Sequence, residues 1–431
     1  YFESFPKPVK LVLDRLTFTD NSTKQGGSAI YLSSNAFTTK DSLMKDCVFS
    51  RHIDSSVSLI NLSLTSDFSL MNSKFTDIKN IGTLLQVSFT TGSHSFDISN
   101  CTFENTESNS VLSILGRGRH QSVNVKGSVF RHYKGSLTNC QNASFSASSS
   151  LFTKGTDSFL FSNSYVSLKT SEVSYYSSSL TSAIELYESC ILEVKDSVFH
   201  HNEGDSGACI RVDSSSRISV LASKFTHNIG NLGSVLYFIN SSLDNYVQDT
   251  EFAFNHARSS AAVYLVNSNL QLANVKLRSN TASSSPGVSA QTSELVATNS
   301  VFFNQTSSDG SFFILAGSSK GILKNCSLSD STGGAFSVVS SSLFLDGTKV
   351  SRASRGKGSS VIFSQSSSIS IRNCKFEGIF SNDKTSFMII TGGSLELISS
   401  SISLFSSTAL TVVSADSIIF DHCEFEYGSC F

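Results

Sequence analysis

A phrase of the form small-x-Phe, led in by alternating aliphatic residues, recurs from one end of this 431-residue chain to the other. It stands at Phe18, Phe49, Phe75, Phe103 and Phe130, and again at Phe199, Phe225, Phe252, Phe302, Phe376 and Phe425. Two residues before each ring sits Cys, Ser, Thr or, once, Leu. Weaker copies put Phe152, Val173, Leu277, Leu328, Val350 and Ile402 at the same place, so seventeen anchors follow one another at separations of 21 to 31 residues. A period of about 25 residues held over a whole chain is the mark of a solenoid, whose units bury their apolar faces only by stacking.

The pattern inside one unit decides what kind of solenoid. Ala335-Phe336-Ser337-Val338-Val339, then Ser340-Ser341-Ser342, then Leu343-Phe344-Leu345-Asp346 alternates apolar with polar residues and is broken by small ones. That is strand-and-turn chemistry, and no segment sustains the i, i+3, i+4, i+7 stripe of a substantial helix. Three short strands per unit are what one coil of a parallel β-helix requires. The expected architecture is therefore all-β, a single-stranded parallel β-helix of about 17 coils of about 25 residues, forming a rod of roughly 80 Å at a rise of about 4.8 Å per coil. Only 3 Pro occur, as a backbone spent on inter-coil ladders demands. Trp is absent while Phe numbers 34, which suits a narrow interior that repeats one slot. The anchor phenylalanines read as a structural ladder.

The second half of the unit carries Asn three residues after the anchor, at Asn21, Asn202, Asn228, Asn255 and Asn280, where an αL corner and stacked amides are expected. A small-residue segment then opens the next strand: Gly26-Gly27-Ser28-Ala29-Ile30, Gly207-Ala208-Cys209-Ile210, Gly233-Ser234-Val235 and Gly333-Gly334-Ala335-Phe336. Phe-x-x-Asn followed by Gly-Gly-Ala-aliphatic resembles the repeats of chlamydial polymorphic outer membrane proteins. The pairing is clearest in Phe18-Thr19-Asp20-Asn21, Phe199-His200-His201-Asn202 and Phe225-Thr226-His227-Asn228. The resemblance implies a right-handed β-helix of the pectin-lyase-like superfold, displayed at a cell surface and used in adhesion. The chain departs from a bacterial autotransporter in lacking an aromatic-ended β-barrel segment, which leaves the passenger-like rod.

Composition sets further bounds. The formal charge is −2, with charges scattered, so neither the basic stripe of a nucleic-acid binder nor a membrane-surface helix is present. No run of about 18 apolar residues could span a bilayer as a helix. Residues 1–431 read as a single domain, and a first residue of Tyr suggests a processed product or a fragment. Nine cysteines cannot all pair within the chain. Cys47, Cys101, Cys326, Cys374 and Cys423 share the inward slot two residues before the anchor with Ser and Thr. Nearest occupants lie two coils apart, roughly 9.6 Å and beyond disulfide reach, so they read as small buried hydrophobes. Cys140, Cys190, Cys209 and Cys430 have no partner by register.

Candidate chemistry is sparse. Gly204-Asp205-Ser206-Gly207 matches a protease nucleophile phrase, but it occupies the turn that reads Gly230-Asn231-Leu232-Gly233 one coil later, and no base-and-orienter pair accompanies it. His201 and His227 fall two residues after successive anchors, with His256 on the next coil; they are weak candidates for a metal and specify no third ligand. Asp46, Asp77, Asp196, Asp249, Asp346 and Asp421 are scattered rather than paired as a glycosidase needs. Arg352, Arg355 and Lys357 form a basic loop without facing acids. The sequons at Asn21, Asn61, Asn142, Asn240 and Asn304 are glycosylation candidates, while those at Asn100 and Asn325 adjoin an inward Cys and read as poorer acceptors. Ser-rich corners such as 214–216, 340–342 and 366–368 satisfy turns, and also offer a hydroxyl strip for carbohydrate. The expectation is a non-enzymatic extracellular or cell-surface rod without cofactor, structural or adhesive. Its partners would be a second copy stacked head to tail, surface glycans or host and cell-surface proteins, and no nucleic acid. The alternative is a carbohydrate-active β-helix enzyme.

Overall fold

The computed structural model describes residues 10–20, 29–32, 42–55, 57–90, 92–118, 120–353, 360–380, 386–405 and 410–428. Regular structure in them is entirely β, parallel, and wound as a right-handed helix of about 14 turns. Seventeen anchors predicted a few more.

The chain divides into two compact units, Tyr1–Glu203 with Asp213–Arg217, and Gly204–Val212 with Ile218–Phe431. In the first, the anchor ladder runs in register from Phe18 through Phe49, Phe75, Phe103, Phe130, Phe152 and Val173 to Phe199. In the second it runs from Phe225 through Phe252, Leu277, Phe302, Leu328, Val350, Phe376 and Ile402 to Phe425.

Each coil is built of short strands whose side chains alternate between core and solvent, and in several coils of the second unit a fourth strand, such as Ile229–Leu232, follows the anchor strand. The strand before the anchor, as in Ser122–Lys126, alternates half-buried and buried residues. The anchor strand is short, as in Lys224–Thr226, and a third strand follows, as in Leu236–Ile239. In several coils of the first unit the last two merge, as in Thr102–Leu115, with a register shift between Glu107 and Ser110 where the chain bends.

Stacking makes the core. Phe18, Phe49, Phe75 and Phe103 stack nearly parallel with successive ring centroids 4.7 Å apart, and Phe103 to Phe130 is 4.4 Å. The spacing is the inter-strand distance itself, so backbone pairing and ring stacking reinforce each other. Phe425 keeps register with Ile402 but is 40% exposed, and Phe18 is half-buried, since each lies on the outermost described coil of its unit.

Three corners turn each coil, and each uses a residue with positive φ. In one coil of the first unit these are Ser149, Lys154 and Asn163; in one of the second, Asp249, Phe254 and Asn267. Asn was expected in αL three residues after the anchor. The left-handed residue is instead the one before it, His201, His227, Phe254 and Ser279. The Asn that follows points inward and is fully buried.

Candidate functional site

The residue after each corner begins a polar rung inside the coil. In the slot two before the anchor, the Cys47 amide donates to Ser73 Oγ at 3.1 Å, Cys101 to Ser128 at 3.1 Å, Ser128 to Ser150 at 3.3 Å, and Ser171 to Ser197 at 3.2 Å. Each hydroxyl in turn donates to the carbonyl two residues back, Ser73 to Met71 and Ser128 to Lys126. The cysteines use the same geometry, Cys101 Sγ reaching Ser99 O at 3.3 Å. The inward cysteines are free and small, and all but the half-buried Cys423 are buried, as their spacing implied; the slot is in addition a hydrogen-bond relay in which a thiol substitutes for a hydroxyl. Eight described cysteines are free, and Cys430 lies outside the described residues. Burial pushes the thiols of Cys101 and Cys374 up to about 11 and that of Cys140 up to about 12, so they remain protonated and unreactive at neutral pH.

The second rung is the Asn ladder. Asn255 Oδ1 accepts from both the amide and the side chain of Asn228 at 3.0 Å, and Asn280 Oδ1 does the same for Asn255 at 2.9 and 3.0 Å. Asn255 Nδ2 also donates to the anchor carbonyl one coil back, Phe225 O, at 3.0 Å. His52 occupies this position in the first unit, 2% exposed, and its Nε2 lies 3.2 Å from Phe18 O, the equivalent carbonyl. The third rung is Ser: the amides of Ser268, Ser293, Ser319 and Ser341 donate to Ser293, Ser319, Ser341 and Ser367 Oγ at 3.0 to 3.1 Å.

Outside the coils, the histidines separate. His227 stacks on Phe254 with centroids 5.1 Å apart, whereas His256 pairs in register with Ile229 and its Nδ1 meets Thr281 Oγ1 at 2.7 Å. The register therefore offsets His256 from His227, because the coil's αL position is filled by Phe254. His201 belongs to a different group: His200 Nδ1 lies 2.9 Å from His201 Nδ1, His200 Nε2 lies 3.0 Å from Glu172 Oε1, and Tyr175 stacks on His201 at 5.0 Å. Sequence reading missed Glu172 and Tyr175, one coil earlier: Tyr175 stands at the corner equivalent to His201, whereas Glu172 is in register with Val198. Among the described residues no group of three His, Cys, Asp or Glu side chains converges as a metal site.

The acids are tied locally. Asn105 donates to Asp77, Asn274 to Asp249 and Asn373 to Asp346, each across one coil at 3.0 to 3.1 Å. Arg352, expected to lack a facing acid, forms a two-pronged pair with Asp330 at 2.6 and 2.7 Å and holds that carboxyl below its ordinary value of 3.8; Arg355 and Lys357 lie outside the described residues. Ser206 Oγ donates to its neighbour Asp205 at 2.9 Å, and Asn231 Nδ2 donates to the same carboxylate at 3.1 Å, a turn rather than a base-and-nucleophile pair.

Asn142, Asn240 and Asn304 stand at αL corners, Asn61 lies in the strand Ile60–Leu64, and Asn21 is outside the described residues. Asn100 and Asn325 also stand at exposed αL corners, so adjoining an inward Cys does not bury them. The Ser corners of the second unit line a shallow groove of about 420 Å³ bordered by Ser318, Ser340, Ser366, Ser368, Ser394 and Asp416. No helix among the described residues is long and apolar enough to cross a membrane, which does not bear on β-barrels.

Residues 261–425 match the family described as the right handed beta helix region. No curated protein sequence matches the chain. Among solved structures, a chain of the Vag8–C1 inhibitor complex aligns with a TM-score of 0.49 and 8% identity, over 97% of this chain and 100% of that one. Tailspike protein 3 of bacteriophage CBA120 aligns at 0.35 and 9%, over 77% of this chain and 56% of that one. The A-module of Azotobacter vinelandii mannuronan C-5 epimerase AlgE6 aligns at 0.31 and 11%, over 88% and 92%. Likeness at this level says nothing of activity.

Proposed function

We propose that the chain is a non-enzymatic β-helical scaffold of the cell surface or extracellular space, serving in structure and adhesion. The supporting observation is that one backbone geometry carries many outward side chains. The αL corner after the anchor is Asn105, His132, Lys154 and Tyr175 in the first unit, and Phe254, Asn304, Asp330 and Arg352 in the second. The coil's inward rungs fix the backbone, so this corner can vary in chemistry without disturbing the fold. Tyr175 and Phe254, 49% and 44% exposed, are the kind of rigid aromatic that anchors a protein or glycan contact.

The sequons at exposed corners suit a glycosylated surface protein if the host glycosylates. Head-to-tail association with a second copy belongs to the same reading. The outermost described coil of the second unit, Leu410–Gly428, leaves Val413 69% exposed and Ile419 50% exposed, an apolar edge that another coil would cover. Beads coated with the protein should adhere to cells or arrayed glycans, and Tyr175→Ala and Phe254→Ala should reduce capture. Depolymerisation of any member of a polysaccharide panel, lost in Asp416→Asn, would favour the carbohydrate-active enzyme instead. Sedimentation showing monomers at every concentration would remove the head-to-tail part.

A further inference from the structure

One corner of the first unit departs from the repeat. Between the strand ending at Gln141 and that starting at Ser144, the chain needs only Asn142 and Ala143 to turn. One coil earlier the same corner runs through 116–121, from Leu115 to Ser122, and one coil before that through 90–94, from Phe89 to Ser95. The two lengthened turns enclose a cavity of about 280 Å³ lined by Thr90, Gly92, Arg117, Gly118, His120 and Gln121.

The cavity is built rather than incidental. Gln121 is 3% exposed and clasps both turns: its Nε2 donates to Gly92 O at 3.1 Å, its Oε1 accepts from the Arg117 amide at 2.6 Å, and its own amide donates to Gly118 O at 3.2 Å. Ser122 N adds a bond to His94 O at 3.0 Å. Gly116 is held against the next coil, where an added Cβ would lie 2.3 Å from Asn142 O. Gly118 by contrast has open space around it. Among the described residues, the charged or ionisable side chains on the lining are Arg117 and His120, both exposed, and both are cationic donors when protonated. Asp67, in the same corner one coil before, accepts from Ser95 N and Oγ at 2.8 and 3.3 Å.

We propose that this cavity binds one acidic sugar unit, a uronate or a sulfated hexose. The Arg117 fork would take the carboxylate or sulfate through two parallel bonds and His120 would add a third donor. The volume suits a single sugar ring, at the small end of ligand pockets, whereas a bare inorganic anion would leave most of it unfilled. Gly118 keeps one wall open to the ring. The site stands whether or not the protein is an adhesin, since it concerns one pocket and one sugar unit.

Calorimetric titration of the protein with glucuronate, N-acetylglucosamine 6-sulfate, glucose and sodium sulfate tests it. At least one acidic sugar should bind saturably and at least tenfold more tightly than both glucose and inorganic sulfate. Arg117→Ala should weaken that binding at least tenfold, Arg117→Lys less, and His120→Ala by a smaller factor. Arg131→Ala, whose guanidinium pairs with Glu104 elsewhere in the unit, should bind as the parent does. The same melting temperature in the Arg117 and parent proteins ties the loss to the site. Absence of saturable binding, equal affinity for sulfate and sugar, or indifference to Arg117→Ala would each overturn the proposal.

Discussion

The position three residues after the anchor is solved differently in the two units. In the second it begins as an amide ladder, Asn228, Asn255 and Asn280, each fully buried, with Asn228 donating to Asn255 and Asn255 to Asn280. In the first it holds His52, Ile78, Thr106, Tyr133, Gly155 and Tyr176 in turn, and an amide, Asn202, only on the last coil, where it donates to Val173 O at 3.0 Å. There the Tyr133 ring fills two rungs at once: a Cβ on Gly155 would lie 2.2 Å from it. Thr106 Oγ1 and Ser108 Oγ find no partner inside. One slot can therefore be closed by repetition of a polar group that bonds to its own copies, or by large-against-small packing that works only in a single place. The first solution propagates along a solenoid; the second does not.

The sharpest way to break this comparison is Asn255→Ala. It strands the Asn228 amide and the Phe225 carbonyl, and should cost about 4 kcal/mol, from one to three for each buried group left unbonded. Denaturant melts would read it, and a loss under 1 kcal/mol would mean water replaces the ladder. Gly155→Ala should cost about 2 to 3 kcal/mol by overpacking against Tyr133, and Tyr133→Leu in the same chain should recover much of it. Gln305 continues the ladder position with one methylene too many, and its Oε1 is buried without a partner. Gln305→Asn, made in a host that does not glycosylate, should raise stability by about 1 kcal/mol with an unchanged denaturant slope.

The pH response should be milder. Burial lowers His52 below its ordinary 6.5, with the bond to Phe18 O acting against the shift. The folded state then holds the neutral ring while the unfolded chain takes up a proton. Stability is thus full above pH 6.5 and falls as pH drops through that value toward the lowered one. His52→Asn keeps the bond to Phe18 O and should flatten melting temperature against pH in this window. Smaller still are the exposed pairs. Glu377 between Lys349 and Lys375, and Glu396 beside Arg372, are held below their ordinary 4.5, so their contribution is present at neutral pH, lost in acid, and weakened by salt.

Much of this was legible beforehand because a solenoid writes its architecture as a period. The Phe anchors, the parallel strands and the stacking of the Asn amides follow from alternation and spacing, whereas the shift of the αL corner to the residue before the Asn, which turns the Asn inward, does not. The polarity of the Cys slot was not, since whether a small side chain packs or bonds depends on a carbonyl two residues back. The Glu172–His200–His201 group escaped because Glu172 meets His200 only across a coil. The cavity at 116–121 left one trace in the chain, Gly116-Arg117-Gly118 followed by His120 where the next coil turns on Asn142 and Ala143 alone.

What the sequence determined by itself was the repeat, and so the β-helix, because every coil must bury the same face against its copies. Only the tertiary structure decided which positions became bonds and which became surface. Register sets those distances: a rung bonds its neighbour only if their corners coincide, and a cavity opens only where two adjacent corners lengthen together.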